Sequence, residues 1–162
     1  MPVAKNNEMT PLQRAREEWE ANTTPHPKKH PLSKFRPAFH THEFREFGEA
    51  IAWVEWDGKY IEIKKIEKIP CAGRGAAIPI VNFLKVLADK YHVRLWGQAK
   101  SYTPDPPWCD DERILSQEEL EAWYERRGFR LVRQRKPAPT WIWYPDIPRN
   151  YVDDGSGCSP AN

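Results

Sequence analysis

The residues best placed to do chemistry lie in one block, Ile69-Pro70-Cys71-Ala72-Gly73-Arg74-Gly75-Ala76-Ala77. A run of β-forming residues precedes it and a run of helix-forming residues follows it. A strand that ends in a glycine-rich turn and opens into a helix leaves outward-pointing backbone N–H groups at the positive end of the helix dipole. Both favour a phosphate. Gly73 and Gly75 lack a Cβ, so the turn can take unusual dihedrals and a ligand can approach the main chain. The block predicts a phosphorylated cofactor held at a strand-to-helix junction, and a plain tight turn before a helix is the competing reading.

Other constellations carry less. Cys71 lies near a helix N-terminus, where a thiol pKa can fall, yet no histidine partner can be argued for it as a nucleophile. His40-Thr41-His42-Glu43 puts two imidazoles on one side of a strand. A metal needs further ligands that the spacing does not supply, so no metal site is assigned. Trp108 and Cys109 sit in a long loop and could line an acceptor pocket, with Trp108 as a loop anchor the plainer reading. Lys28, Lys29, Lys34 and Arg36 crowd one segment, and Arg126, Arg127, Arg130, Arg133, Arg135 and Lys136 another. Such runs are either solvated surface or contacts for an acidic protein or a nucleic acid. The formal net charge of +2 is too small to predict a nucleic-acid partner by itself.

The elements that must position these residues follow from pattern. Thr10-Pro11-Leu12-Gln13 is a helix start, with Thr10 as cap and Gln13 completing a capping box. The helix runs to about Ala21, and a Pro-, Lys- and His-rich arm follows to Pro37. Phe39 to Phe47 is ambiguous, and Ala50 to Trp56 reads as a strand. Asp57-Gly58 marks a two-residue hairpin turn, and Tyr60 to Lys64 returns with clean alternation. Ile61 and Ile63 share a face, but Ile66 is out of phase with them. The period-two rule then requires a bulge or a change of exposure near Lys64-Lys65. Ala76 to Tyr91 is helical, with Ile80, Phe83, Leu84, Leu87, Ala88 and Tyr91 on one stripe. Val93 to Ala99 is the next strand. Strand, helix and strand at this spacing make a βαβ unit, so the two strands should be parallel. After a proline-containing loop, Ser116 to Glu119 is a second capping box. Its helix ends at Gly128, and strands follow at Phe129–Arg133 and Trp141–Tyr144.

The chain of 162 residues suits one folded domain. Its boundaries read as an N-terminal helix and arm over 1–47, a core over 48–148 and a flexible tail over 149–162. Three cysteines without metal-type spacing, no signal-like stretch and no bilayer-length apolar run point to a reduced, cytoplasmic setting with no membrane partner. Eight tryptophans imply much buried aromatic area or a flat binding surface.

Two stretches resemble the GNAT superfamily of acetyl-CoA-dependent N-acetyltransferases. Ala72-Gly73-Arg74-Gly75-Ala76-Ala77 is similar to that family's pyrophosphate loop, Arg/Gln-x-x-Gly-x-Gly/Ala. Gly75 and Ala77 match its small positions, and Ala72 departs from the usual Arg or Gln. Leu120-Glu121-Ala122-Trp123-Tyr124-Glu125-Arg126-Arg127-Gly128-Phe129 is similar to the family's helix-to-strand segment. The two lie in the family's order, and the likeness covers Glu49 to Tyr144. The N-terminal part is thinner than the family's, which resembles short phage- or plasmid-encoded members.

The resemblance implies a mixed α/β fold. Its central sheet would be mostly antiparallel, with one splayed parallel pair and flanking helices. It implies acetyl-CoA as cosubstrate and direct attack of an amine on the thioester. Ile69, Gly73, Arg74, Gly75, Ala76 and Ala77 would hold the cofactor. The pantetheine arm would lie between the splayed strands, with Gly97 leaving space beside it. Tyr124 matches the family's general acid, or else it packs with Leu120 and Phe129. Glu62 and Glu67 lie where many members place a carboxylate base, or else they are surface groups on a half-buried strand. The acceptor would be an amine on a small molecule, a protein or a charged RNA. The alternative is a GNAT-fold protein without catalysis that binds protein or nucleic acid. Cofactor binding separates the two.

Overall fold

The computed structural model describes residues 8–27, 44–69, 72–101, 114–135 and 138–145. Helix α1 spans Pro11–Asn22 and starts as its sequence dictates, with Thr10 accepting from the Gln13 amide and the Gln13 side chain answering the Thr10 amide. Strands β1 (Thr24–Pro25), β2 (Phe44–Phe47), β3 (Ala50–Asp57) and β4 (Tyr60–Lys68) follow. Asp57 pairs with Tyr60, so the hairpin loop is Gly58-Lys59, one residue later than the Asp57-Gly58 turn expected. Gly58, at φ +58, takes the left-handed position there. Then come α2 (Ile78–Tyr91), β5 (Arg94–Ala99), α3 (Gln117–Arg126), β6 (Arg130–Val132) and β7 (Thr140–Tyr144). Helix α2 begins two residues after the expected Ala76, because 74–77 form a turn.

The seven strands make one sheet in the order β1-β2-β3-β4-β5-β7-β6. Every adjacent pair is antiparallel except β4 and β5, which are parallel. This is the expected fold class, and α2 is the crossover that the parallel pair requires.

Alternation along the strands separates two faces. Ile61, Ile63, Leu95 and Ile142 share a core cluster with Leu12, Ala15 and Trp19 of α1, Ile80, Leu84 and Leu87 of α2, and Tyr124 of α3. All three described helices therefore pack on that face. The opposite face carries Val132, Trp141 and Trp143, with Tyr60 and Trp96 against them. Here Trp96 stacks on Trp143 at 5.8 Å and lies 5.0 Å from Trp141. Three of the eight tryptophans thus form a cross-strand aromatic cluster on the last strands of the sheet.

Candidate functional site

The phase slip in the sequence is a bulge in the structure. Trp53 pairs with Lys65 and Val54 with Ile63, which leaves Lys64 as the extra residue. The same point ends the β4–β5 pairing. Tyr60, Ile61, Glu62 and Ile63 pair with Arg94, Leu95, Trp96 and Gly97, yet β4 runs on to Lys68 and β5 to Ala99. Beyond Ile63 and Gly97 each strand keeps a partner on its outer side alone: β3 for β4, and β7 for β5. The two strands therefore fork.

Gly97 sits at the floor of this fork. A Cβ added there would lie 2.7 Å from the Ile63 carbonyl oxygen. Its role is to let the two main chains approach, which corrects the expectation that it clears room beside a ligand arm. At the open end, Gln117 holds the last turn of β5. Its side-chain amide donates to the Ala99 carbonyl and accepts from the Ser101 amide at 2.9 Å, and the Ser101 hydroxyl donates to the Leu115 carbonyl. These bonds tie the end of β5 to the start of α3 rather than to β4.

Strand β4 leads into the glycine loop. The Ile69 amide is already engaged, donating to the Glu49 carbonyl at 2.8 Å, and the Ile69 carbonyl accepts from Ala72. Ile69 thus anchors the loop and has no free amide for a ligand. Ile78 donates back to Gly75 at 3.0 Å, and Gly75 is left-handed at φ +78. Among the described residues, none of the amides of Gly73, Arg74, Gly75, Ala76 or Ala77 donates to a backbone carbonyl. Helices α1 and α3 both carry side-chain capping boxes, whereas α2 begins at Ala77 with no side-chain cap. Its N-terminal donors are left to another acceptor. Cys71 and Pro70 lie outside the described residues, as do His40, His42, Trp108 and Cys109.

From Ile78 a cleft of about 620 Å³ runs between the two helices, lined by Ile78, Asn82 and Lys85 of α2 and by Arg126, Arg127 and Gly128 at the end of α3. Three of these six residues are cationic and none carries a carboxylate. Arg127 lies over the Trp123 ring at 3.8 Å and donates to the Trp123 carbonyl at 2.8 Å. Burial, and then the neighbouring Arg126, pull it below the usual guanidinium value; an arginine still keeps its proton at neutral pH. Its Nε is buried without a hydrogen-bond partner. An unmet cationic donor beside an uncapped helix start suits an anion. The sequence flagged Arg126 and Arg127 only as part of a charge run. It gave no sign of Asn82 and Lys85, which lie off the apolar stripe of α2, or of Gln117, whose role depends on where β5 ends.

Tyr124 is in the core, 7 % exposed, set edge-on against Trp123 at 5.1 Å and Phe129 at 5.3 Å. Burial pushes its phenol up to about 12. Glu62 and Glu67 lie on the face away from the helices, across the fork from the basic cleft. Glu62 pairs with Lys64 at 2.9 Å and Glu67 with Lys65 at 3.0 Å, and their side chains are 13 % and 10 % exposed. The fold thus brings the glycine loop, the α2 start and the basic cleft together on the helix side. It places both carboxylates on the other side and Tyr124 between sheet and helices.

No family model matches this chain, and no curated protein matches it. Among solved structures, the crystal structure of the anti-CRISPR protein AcrVA5 is similar, with a TM-score of 0.44 and 16 % identity over 60 % of this chain and 93 % of that one. Among the described residues, no helix is long and apolar enough to cross a membrane.

Proposed function

We propose that this protein is an acetyl-CoA-dependent N-acetyltransferase. The reading rests first on the forked parallel pair, which opens next to an uncapped helix start and a cationic cleft. Coenzyme A has a diphosphate, a 3′-phosphorylated nucleoside and a long, thin amide-bearing arm. The amides of 73–77 would meet the diphosphate. Lys85, Arg126 and Arg127 would meet the remaining phosphate, and the fork is a slot of the right kind for the arm. The acyl thioester, when bound, supplies a carbonyl open to attack by an amine.

The chain's own tasks are then to grip, to orient and to move protons. Glu62 or Glu67 would take the amine proton on the far side of the fork, assistance worth typically ~10²–10⁴-fold. Tyr124, protonated at neutral pH, would donate toward the departing sulfur. Holding amine and thioester in line contributes as much or more.

A second reading, a GNAT-fold protein that binds without catalysing, is favoured by one observation: Tyr124 packs as a core residue between Trp123 and Phe129. One titration separates the two. Acetyl-CoA at a hundred times its Kd should stabilise the fold by about 2.7 kcal/mol, and Gly75→Glu should abolish that shift. Free thiol released in the presence of an amine panel supports the transferase. Binding without release supports the silent module, and no binding by either calorimetry or melting removes the cofactor reading.

A further inference from the structure

The first residue of β4 beyond the fork is Lys64, and it is also the extra residue of the bulge. Period-two alternation puts Lys64 on the face of Glu62, and the bulge at Lys64 changes the phase only beyond it. The Lys64 ammonium accordingly reaches Glu62 Oε1 at 2.9 Å and Glu55 Oε2 at 3.9 Å, over the sheet face that carries no described helix. Its side chain is 37 % exposed and so open to reagents. An amine, a carboxylate to take its proton and the mouth of the slot therefore meet within one turn of backbone.

We infer that Lys64 is a self-acylation site. The inference rests on the transferase reading, because the acyl donor is a coenzyme A thioester held from the helix side. A thioester fed into the fork from that side presents its carbonyl at the floor, beside Ile63 and Gly97, and Lys64 is the next residue along. The Lys64 ammonium gives one proton to Glu62, and the neutral nitrogen attacks the carbonyl carbon. A C–N bond forms, the C–S bond breaks, and the second proton of the attacking nitrogen passes through water to the departing thiolate. The products are an amide at Lys64 and free coenzyme A. Loss of the ammonium charge also releases Glu62 and Glu55 from their shared partner.

The test uses the full chain with acetyl-CoA and no added amine, followed by intact mass and peptide mapping. One acetyl group should appear at Lys64. Its rate should exceed that at Lys59, an exposed lysine in the hairpin loop, by on the order of 10²-fold, the lower end of general-base assistance. Equal rates at the two lysines, or equal labelling by acetyl phosphate or in urea, overturn the inference. A second readout needs no turnover: unacylated coenzyme A should slow modification of Lys64 by an amine-reactive ester relative to Lys59. No such protection counts against the site. Lys64→Arg should keep the melting temperature and lose the label, while Glu62→Gln should keep coenzyme A binding and slow labelling. If calorimetry registers coenzyme A binding yet Lys64 stays unlabelled, the inference fails and the transferase reading stands. If coenzyme A does not bind, both fail.

Discussion

At the scale of single residues, four positions bear on the site: Gly97, Glu62, Glu67 and Tyr124. Gly97 is fixed by a main-chain contact, not by a turn. Gly97→Ala should force Ile63 and β5 apart and cost about 1–3 kcal/mol in urea unfolding, as overpacking does. A melting curve identical to the parent would mean that the strands yield freely at the fork floor. Glu62 and Glu67 lie five residues apart on β4, each paired with its own lysine, and single glutamines should separate their roles. The variant that is the base should lose turnover by about 10²–10⁴-fold at unchanged Kd for coenzyme A. Tyr124 makes a claim about pH. Burial raises its phenol from 10.0 to about 12 in the folded state, so the fold prefers the protonated form. The stability this represents is complete below pH 10 and is lost as pH climbs toward 12, on the order of 2–3 kcal/mol for a shift of that size. Tyr124→Phe should flatten that alkaline limb. Tyr144, raised by burial and by its hydrogen bond to Asp89, adds to the same limb and would leave a remnant.

At the scale of elements, the decisive contrast is between helices that cap themselves and one that does not. Helices α1 and α3 satisfy their first amides with Thr10/Gln13 and Ser116/Glu119. Helix α2 starts in a glycine turn without such a side chain. On the proposed reading its first turn would be the anion seat, because its amides have no side-chain cap. The end of β5 poses the opposite problem. Leaving β4 at Gly97 costs it one set of ladder bonds, and Gln117 takes over the Ala99 carbonyl and the Ser101 amide. Gln117→Ala should cost about 1–2 kcal/mol and should speed hydrogen exchange of the Ser101 amide. Unchanged exchange there would mean that the clamp does not hold the fork open.

At the scale of the molecule, the described helices all pack on one face of the sheet, and α1 is among them. Trp19 of α1 is 2 % exposed and stacks on Phe83 of α2 at 5.9 Å, and Phe83 in turn stacks on Phe47 at 5.0 Å. Trp19→Ala should cost about 3–5 kcal/mol, read as a shift in urea midpoint. A loss under about 1 kcal/mol, the level of surface changes, would mean that α1 docks without supporting the core. The same helix pair carries the Glu18–Lys90 contact at 2.8 Å. The Lys90 hydrogen bond, and then that of Tyr91, hold Glu18 below 4.5. That contribution is present above pH 4.5 and lost as pH falls through the lower folded value, and Glu18→Gln should flatten the acid limb at low salt. The other face, with its stacked Trp96, Trp141 and Trp143, is a separate apolar unit on the last strands.

Local chemistry is what the sequence by itself determined. The two capping boxes, the left-handed Gly128, the amphipathic stripe of α2 and the parallel βαβ unit each depend on neighbours within a few residues, or on a single apolar period. Even the bulge was legible, because Ile66 falls out of phase with Ile61 and Ile63. The hairpin loop was misplaced by one residue because Asp57 can still pair with Tyr60 when Gly58 takes the left-handed turn. Tertiary structure decided what those pieces enclose. Whether β4 and β5 part, where Gln117 finds its acceptor, and how Lys85 comes to face Arg126 all depend on contacts between segments far apart in the chain. The basic cleft has no sequence period at all. It exists because α2 and α3 lie on the same face, and a surface charge gains a role only from what stands across from it.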